Sequence, residues 1–405
     1  MKLARDVLLS IALCAGLGGC IHESVLAQNT PAANRPMQLR RLSFAQLDGW
    51  KTTDPRAPLA AFARSCGKPA NLNSGLYALA PQDLEKVCAS IPDRPEANEA
   101  RAFFESRFVP YRVEECGAEK GLFTGYYEPE IHASRTRHDV FQTPLYALPS
   151  DLVSVDLGLF RNALKGQRVA GRVENNALVP YATRADIDKN GLTTAKPLLF
   201  VDNPVDAFFL EIQGSGRATL DDGEKLRVVY AASNGQPYTA IGAVLVERGE
   251  FTREQVSLPA IRGCIATHPA DAQELMEKNS AYVFFNEKPL GDATLGADGA
   301  GGVALSPEAS LAVDRTVHPL GVPMWVETVA PSENAPDTVF HRLLVAQDTG
   351  GAITGAVRGD IYWGVGLEAE FKAGHMRSTG TLTVLLPLAL ATRLGTYAQF
   401  TRTRP

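Results

Sequence analysis

Only six of the 405 residues are cysteine and seven are histidine. The histidines (His22, His132, His138, His268, His318, His341 and His375) include no pair at zinc-ligand spacing, so no metal is implied. No cysteine sits in a local Cys/His signature of a thiol nucleophile, and no Gly-x-Ser-x-Gly elbow supports a Ser/His/Asp triad. The net charge of −5 offers nucleic acid no basic partner. Gly214-Ser215-Gly216 lacks the strand-to-helix setting of a phosphate loop, so neither a nucleotide nor any other cofactor is implied. There is no internal repeat. Beyond the first residues, no apolar run is long enough to span a bilayer.

What is present begins at the N-terminus. Lys2 and Arg5 precede an apolar run over residues 7–17, followed by Gly18-Gly19-Cys20. A short apolar core between basic and small residues predicts an export signal over residues 1–20. A cysteine directly after small residues resembles the lipobox of bacterial lipoproteins, which implies that Cys20 is lipidated and becomes the new N-terminus. A cleaved signal with a chance cysteine is the competing reading. Ile21 rather than Asp follows Cys20, which by the same resemblance implies the periplasmic side of the outer membrane.

Residues 21–39 are polar, with Asn, Pro and Ala, and read as a tether. With 45% hydrophobic residues the remainder can bury the cores of two or three domains. Residues 40–130 hold helices, the clearest over 95–108 with Ala100, Phe103, Phe104 and Phe108 as an apolar stripe, and then a strand from about 121 to 131. Residues 131–235 form a β segment, with strands expected over 143–147, 197–201 and 208–212. Residues 236–305 return to helices, over 240–247 and 270–278, the second begun by Thr267 and Pro269, and close in a Gly/Ala/Asp loop over 291–302. Residues 306–390 alternate short strands (323–329, 341–347 and 380–386) with turns, the pattern of a barrel or sandwich. Residues 391–405 carry no motif and are expected to be a tail with few buried contacts. Outside the signal, Cys66, Cys88, Cys116 and Cys264 remain. A Cys66–Cys88 bond stapling the N-terminal helices and buried free thiols both fit.

Asp348 and Asp360 stand twelve positions apart at the ends of a turn containing Gly350, Gly351 and Gly355. Those glycines let the backbone approach itself or a ligand closely. Leu343, Leu344 and Val345 before the turn, and Ile361, Tyr362 and Trp363 after it, read as buried strands. Two strand-edge acids over a glycine-lined groove, flanked by aromatics, suit cleavage of a sugar chain. A turn cap and an ordinary loop acid are the plain alternative.

Three further segments carry polar residues where a core strand would have none: Thr124-Gly125-Tyr126-Tyr127-Glu128-Pro129, Ile212-Gln213-Gly214-Ser215-Gly216-Arg217 and Ser233-Asn234-Gly235-Gln236-Pro237-Tyr238. Together they resemble the membrane-bound lytic murein transglycosylase A family. The C-terminal part is similar to that family's 3D module, whose three aspartates fall here at Asp314, Asp348 and Asp360. The resemblance runs from about residue 104 to 387 with every motif in order. Thr354 departs from it, since relatives often carry Lys or Arg after Ala-Ile.

The resemblance implies a mainly β fold with flanking helices. A double-psi β-barrel is formed by residues 306–390 plus strands near Thr124, a second β-domain is inserted at 131–235, and a groove lies between them. It also implies catalysis by Asp360 with Asp348 as its partner. Thr124, Tyr127, Gln213, Ser215, Asn234, Gln347 and Trp363 are the expected substrate contacts. For Asp314 a structural role in the turn and a supporting catalytic role both stand. The implied partners are peptidoglycan glycan strands, a membrane through the lipid anchor, and other cell-wall enzymes. Lytic cleavage of the β-1,4 bond between N-acetylmuramic acid and N-acetylglucosamine gives a 1,6-anhydro end. A hydrolytic glycosidase using an Asp pair, and a non-catalytic glycan-binding lipoprotein, are the rival functions.

Overall fold

The computed structural model describes residues 36–401 apart from 69–74, 78, 165–166, 254 and 334. The expected signal and Cys20 therefore lie outside the described residues. Strand β1 (Pro36–Arg41) buries Met37 and Leu39, so residues 36–39, expected in the tether, are sheet. Helices α1 (Arg56–Cys66), α2 (Pro81–Ala89) and α3 (Ala97–Arg107) follow. A Cys66–Cys88 disulfide joins the ends of α1 and α2, a cross-link worth about 3 kcal/mol through the unfolded chain's lost freedom. The helix expected over 95–108 begins only after Glu96, whose N–H is capped by Glu99 at 2.9 Å. Phe108 opens strand β2 (Phe108–Glu115), and strand β3 (Lys120–Glu128) runs next. The single strand expected over 121–131 breaks at Pro129, which has no N–H for a ladder.

The inserted body comprises β4 (Glu130–Ser134), β5 (Thr143–Tyr146), β6 (Val153–Asp156), β7 (Arg168–Glu174), β8 (Ala177–Pro180), α4 (Arg184–Asn190), β9 (Pro197–Val201) and α5 (Pro204–Gln213). After these come β10 (Ser215–Leu220), β11 (Lys225–Ser233), α6 (Ile241–Glu247), α7 (Leu258–Thr267), α8 (Ala272–Glu277) and β12 (Val283–Pro289). One sheet has the order β12-β11-β10-β4-β9-β5, and β6-β7-β8 form a second. Strand β12 thus completes the inserted sheet from within a stretch expected to be helical.

The strand expected over 208–212 is helix α5. Asn203 caps it by accepting from the Val205 N–H at 2.9 Å, Pro204 supplies a preset first turn, and Gly214 ends it at φ 79°. Ala207 and Leu210 face the sheet core, while Phe208 and Phe209 face α6–α8. The helix expected over 270–278 starts at Ala272, because Thr267 already ends α7, which had been missed.

The last region supplies β13 (Ser310–Ala312), β14 (Pro323–Ala330), β15 (Thr338–Asp348), β16 (Arg358–Val365), α9 (Leu367–His375), β17 (Arg377–Pro387), α10 (Leu388–Leu394) and β18 (Tyr397–Thr401). Strands β14-β15-β13-β16-β3-β17 close into a six-stranded barrel through a β17–β14 pairing, and β2, β1 and β18 extend from β17. Strand β3 joins its neighbours from far upstream, lying parallel to β16 and antiparallel to β17. Phe123, Leu311, Leu344, Ala346 and Ile361, each fully buried, share the inner face of the barrel, while Leu343 and Val345 pack outward beneath α1 and Trp50.

Residues 391–401 do not form a tail with few buried contacts. Strand β18 pairs along all of β1 from Pro36↔Thr401 to Arg40↔Tyr397. Arg393 meets the buried Asp83 at 2.6 Å, and the Tyr111 hydroxyl donates to the Gly395 carbonyl at 2.5 Å. Among the described residues, no helix is long and apolar enough to cross a membrane.

Candidate active site

Strand pairing sets the two acids in one row. Asp348 (β15) and Asp360 (β16) are both Cα partners of Ala312, on the strand between them, and Asp360 is in turn the partner of Thr124 on β3. Register partners share a face, so Asp348, Ala312, Asp360 and Thr124 line one stripe of the outer barrel wall. The acids' Cα atoms are two strand spacings apart, roughly 10 Å along the wall. Ala312 presents only a methyl group between them.

Each carboxylate has its own partners. The Thr124 hydroxyl donates to Asp360 Oδ1 at 2.5 Å and accepts from Arg358 Nη2 at 2.8 Å. Among the described residues no other hydrogen bond reaches the Asp360 carboxyl group, which leaves its Oδ2 for a proton. Asp348 Oδ1 accepts from the Ala300 and Thr349 N–H groups, each at 2.9 Å, and Oδ2 accepts from the Tyr126 hydroxyl at 2.9 Å. Tyr126 is also the register partner of Tyr362, and their rings lie 5.2 Å apart.

Burial pushes both carboxyl pKa values above the ordinary range. At Asp360 the Arg358 cation and the Thr124 donor pull down, and the charge of Asp348 pushes further up. At Asp348 the Ala300 and Thr349 N–H groups and the Tyr126 hydroxyl pull down. Two backbone N–H groups can only donate, so they favour Asp348 as the anion. Burial lowers the Arg358 pKa, which Asp360 partly restores. The site can therefore hold one protonated and one ionised carboxyl side by side.

The loop between the acids is clamped from behind. Asp314 is buried; it accepts from the Thr316 N–H at 3.0 Å and from the Gly355 N–H at 2.9 Å. Gly355 has φ +117°, which a side chain would strain. His318 donates from Nε2 to the Ala356 carbonyl at 2.7 Å, while its Nδ1 accepts from Tyr77 at 2.6 Å. Asp314 thus ties the turn after β13 to the glycine loop between the acids.

The other expected contacts scatter. Gln347 is fully buried and ties α1 to the barrel, donating to the Ala61 carbonyl at 2.8 Å and to Ser65 Oγ at 2.9 Å while accepting from Ser310 at 2.6 Å. Asn234 is equally buried and donates to the Ala182 and Ser280 carbonyls, each at 2.9 Å. Trp363 alternates to the opposite side of β16 from Asp360 and packs against Phe340 with centroids 5.2 Å apart. Tyr127 likewise turns from the row towards Glu370 and Arg262, its phenol pKa raised mainly by burial. Gln213 accepts from the Tyr127 N–H at 3.2 Å, and Ser215 is half-buried at the start of β10. Of the residues expected to contact substrate, only Thr124 joins the acids.

Three members of the site had not been expected. Tyr126 stands inside the Thr124–Pro129 segment and Arg358 two positions before Asp360, and neither was singled out. The Ala300 donor is backbone and has no residue signature at all. Among the described residues, no three His, Cys, Asp or Glu side chains come together as a metal site.

Comparison with known proteins matches residues 122–286 to the MltA specific insert domain and residues 309–386 to the 3D domain. The chain is 36% identical over 267 residues to the membrane-bound lytic murein transglycosylase A of Escherichia coli (strain K12). That alignment covers 65% of each chain, just under two thirds of the relative's length. A crystal structure of a membrane-bound lytic murein transglycosylase from Agrobacterium tumefaciens superposes with a TM-score of 0.78 at 31% identity, covering 88% of this chain and 99% of that one. The E. coli MltA structure with bound chitohexaose matches with a TM-score of 0.60 at 29% identity, over 81% of this chain and 90% of that one.

Proposed function

The chain belongs to the membrane-bound lytic murein transglycosylase A family, and from that membership we propose that it is a peptidoglycan lytic transglycosylase. The substrate is a glycan strand, cleaved at the β-1,4 bond between N-acetylmuramic acid and N-acetylglucosamine. The chitohexaose held by the E. coli relative supports a β-1,4-linked amino-sugar chain as ligand. The barrel is read as double-psi, with the strand lying in a groove between it and the inserted sheet. The "membrane-bound" name of the relatives agrees with lipidation at Cys20 and a place on the periplasmic face of the outer membrane.

The observation that carries this reading is the row Asp348–Ala312–Asp360–Thr124, in which one acid is free at Oδ2 and the other is held by three donors. An alkoxide leaves poorly, so the glycosidic oxygen must be protonated as its bond to C1 breaks. Asp360, its pKa raised by burial, gives that proton from Oδ2. Asp348 stays ionised and steadies positive charge on the ring. Asp360, now a carboxylate, takes the proton from the muramic C6 hydroxyl as O6 bonds to C1. No water is consumed. The nucleophile is tethered to its target, which replaces a bimolecular encounter with an intramolecular one. Thr124 and Arg358 orient Asp360 and offset part of the cost of its charge between the two proton transfers.

Mass spectrometry of muropeptides released from purified sacculi tests the reading. Products ending in 1,6-anhydromuramic acid are expected. Reducing muramic ends would make the protein a hydrolase, and binding without soluble products would make it a non-catalytic glycan-binding protein.

A further inference from the structure

A buried ion triad links the inserted sheet to the acid pair, through the loop that carries the Ala300 donor. Glu128, at the end of β3, is 1% exposed. It pairs with Arg217 Nε of β10 at 2.9 Å and with Arg227 Nε of β11 at 2.6 Å. Both guanidinium groups then spend a second nitrogen on loop 291–302. Arg217 Nη2 donates to the Ala293 carbonyl at 2.9 Å and to the Leu295 carbonyl at 3.2 Å, and Arg227 Nη2 donates to the Leu295 carbonyl at 2.7 Å.

From Leu295 the loop folds into a small hairpin. Gly296 N–H donates to the Leu305 carbonyl at 2.8 Å, and Gly299 N–H donates to the Val303 carbonyl at 3.0 Å. The hairpin tip reaches the acid row, where Ala300 N–H meets Asp348 Oδ1 at 2.9 Å and Gly301 N–H meets the Gln347 carbonyl at 2.8 Å. The loop can lie this close only because of its glycines. A Cβ on Gly296 would stand 2.3 Å from the Tyr362 hydroxyl oxygen, and one on Gly299 would stand 2.6 Å from the Gln347 carbonyl oxygen.

We propose that Arg217 and Arg227 of the inserted domain are positioning residues for Asp348, acting through the loop that carries the Ala300 N–H. The triad itself never touches the acids. Its two forks fix the loop root, the hairpin transmits that placement, and the tip supplies one of the three donors that hold Asp348 as an anion. Withdrawing one donor from a buried carboxylate raises its pKa. The role of Asp348 rests on the lytic reading above, whereas its coupling to the triad does not.

Arg227→Lys keeps a cation against Glu128 but cannot reach Leu295 with a second nitrogen. Ala300→Pro removes the donor at the tip and leaves the triad intact. The carboxyl-carbon NMR titration of Asp348, assigned by its loss in Asp348→Asn, reads the coupling without turnover. In both variants the Asp348 midpoint is expected to rise by roughly one pH unit. The acid limb of muropeptide release should rise with it, and the double variant should show little more than either single one. An unmoved Asp348 midpoint in folded Arg227→Lys and Ala300→Pro proteins overturns the proposal, whatever their activity. A moved midpoint, with a parent protein that itself releases no muropeptides, upholds it and sinks the lytic reading instead.

Discussion

Thr124 and Asp360 sit opposite each other on parallel neighbouring strands, and the threonine hydroxyl gives its proton to the carboxylate at 2.5 Å. Arg358 donates to the same hydroxyl from behind, so the proton order along the three groups is fixed: guanidinium to hydroxyl to carboxylate. Asp360 is thereby held by one oxygen and left open at the other. The acid's ionisation is set by burial working against the Arg358 cation.

In the proposed mechanism, Asp360→Asn removes the group that delivers and recovers the proton. Release of muropeptides is expected to fall by about 10²–10⁴-fold or more. Because burial raises the folded-state pKa of Asp360, the stability available with the neutral acid is lost as pH rises through that value. The neutral amide avoids this loss. Thermal unfolding of the variant should match or exceed the parent at pH 7, and the gain should vanish below the ordinary carboxylate value of 3.8. Substantial turnover by this variant would reassign the acid.

Asp348→Asn leaves Asp360 in place and removes the like charge that pushes its pKa up. Activity should fall less than in Asp360→Asn, and the alkaline limb should move to lower pH, since Asp360 then ionises sooner. A dead Asp348→Asn enzyme beside an active Asp360→Asn enzyme would exchange the two roles.

Arg358→Met acts in the opposite direction. The lost cation was holding Asp360 down, so its pKa rises and the alkaline limb moves to higher pH. Lower kcat is also expected, because Thr124 loses its donor and Asp360 its fixed orientation. Rate profiles on sacculi across pH separate this from a general loss of fold, which would lower activity without moving the limb.

Truncation after Leu390 should not be tolerated. It deletes β18, which pairs along the whole of β1, and strands the Asp83 carboxylate, 6% exposed, without Arg393. Loss of an edge strand together with the partner of a buried carboxylate is costly, and Tm is expected to drop by about 5 °C or more. An unchanged melting curve would show that the pairing contributes little.

Cys20→Ala tests the anchor. The expected outcome is a protein released from the membrane fraction that still yields muropeptides from sacculi; retention in the membrane would refute the lipidation.

Strands β14, β15 and β17 were legible at their centres because they are apolar and closed by turn residues, whereas the three residues of β13 were too few to read, and the acid pair stood out because four glycines lie between Asp348 and Asp360. Helix α5 was misread because Phe208-Phe209-Leu210-Glu211-Ile212 is apolar enough for either state. The deciding signals were at its ends, in Asn203-Pro204 and Gly214. Polar character was a poor guide to the site. Asn234 and Gln347 hydrogen-bond core backbone, so their buried amides look in sequence like ligand contacts. Arg358 and Tyr126 gain their roles only from register, since β16 and β3 are brought together from opposite ends of the chain. A backbone donor such as Ala300 N–H is invisible to any reading of side chains.

That same strand pairing has a consequence for when the acid row comes together. Strand β3 enters the barrel wall between β16 and β17, and Thr124 waits 236 positions for Asp360. The inserted sheet can form earlier from its own residues, but the acid row cannot. Contacts of such long range close last and slowly. A nascent chain therefore carries no assembled acid row, and on the proposed reading cutting power arises only once β3 has paired with β16. If the lytic reading holds, the topology is a built-in delay between synthesis of the protein and any attack on the wall.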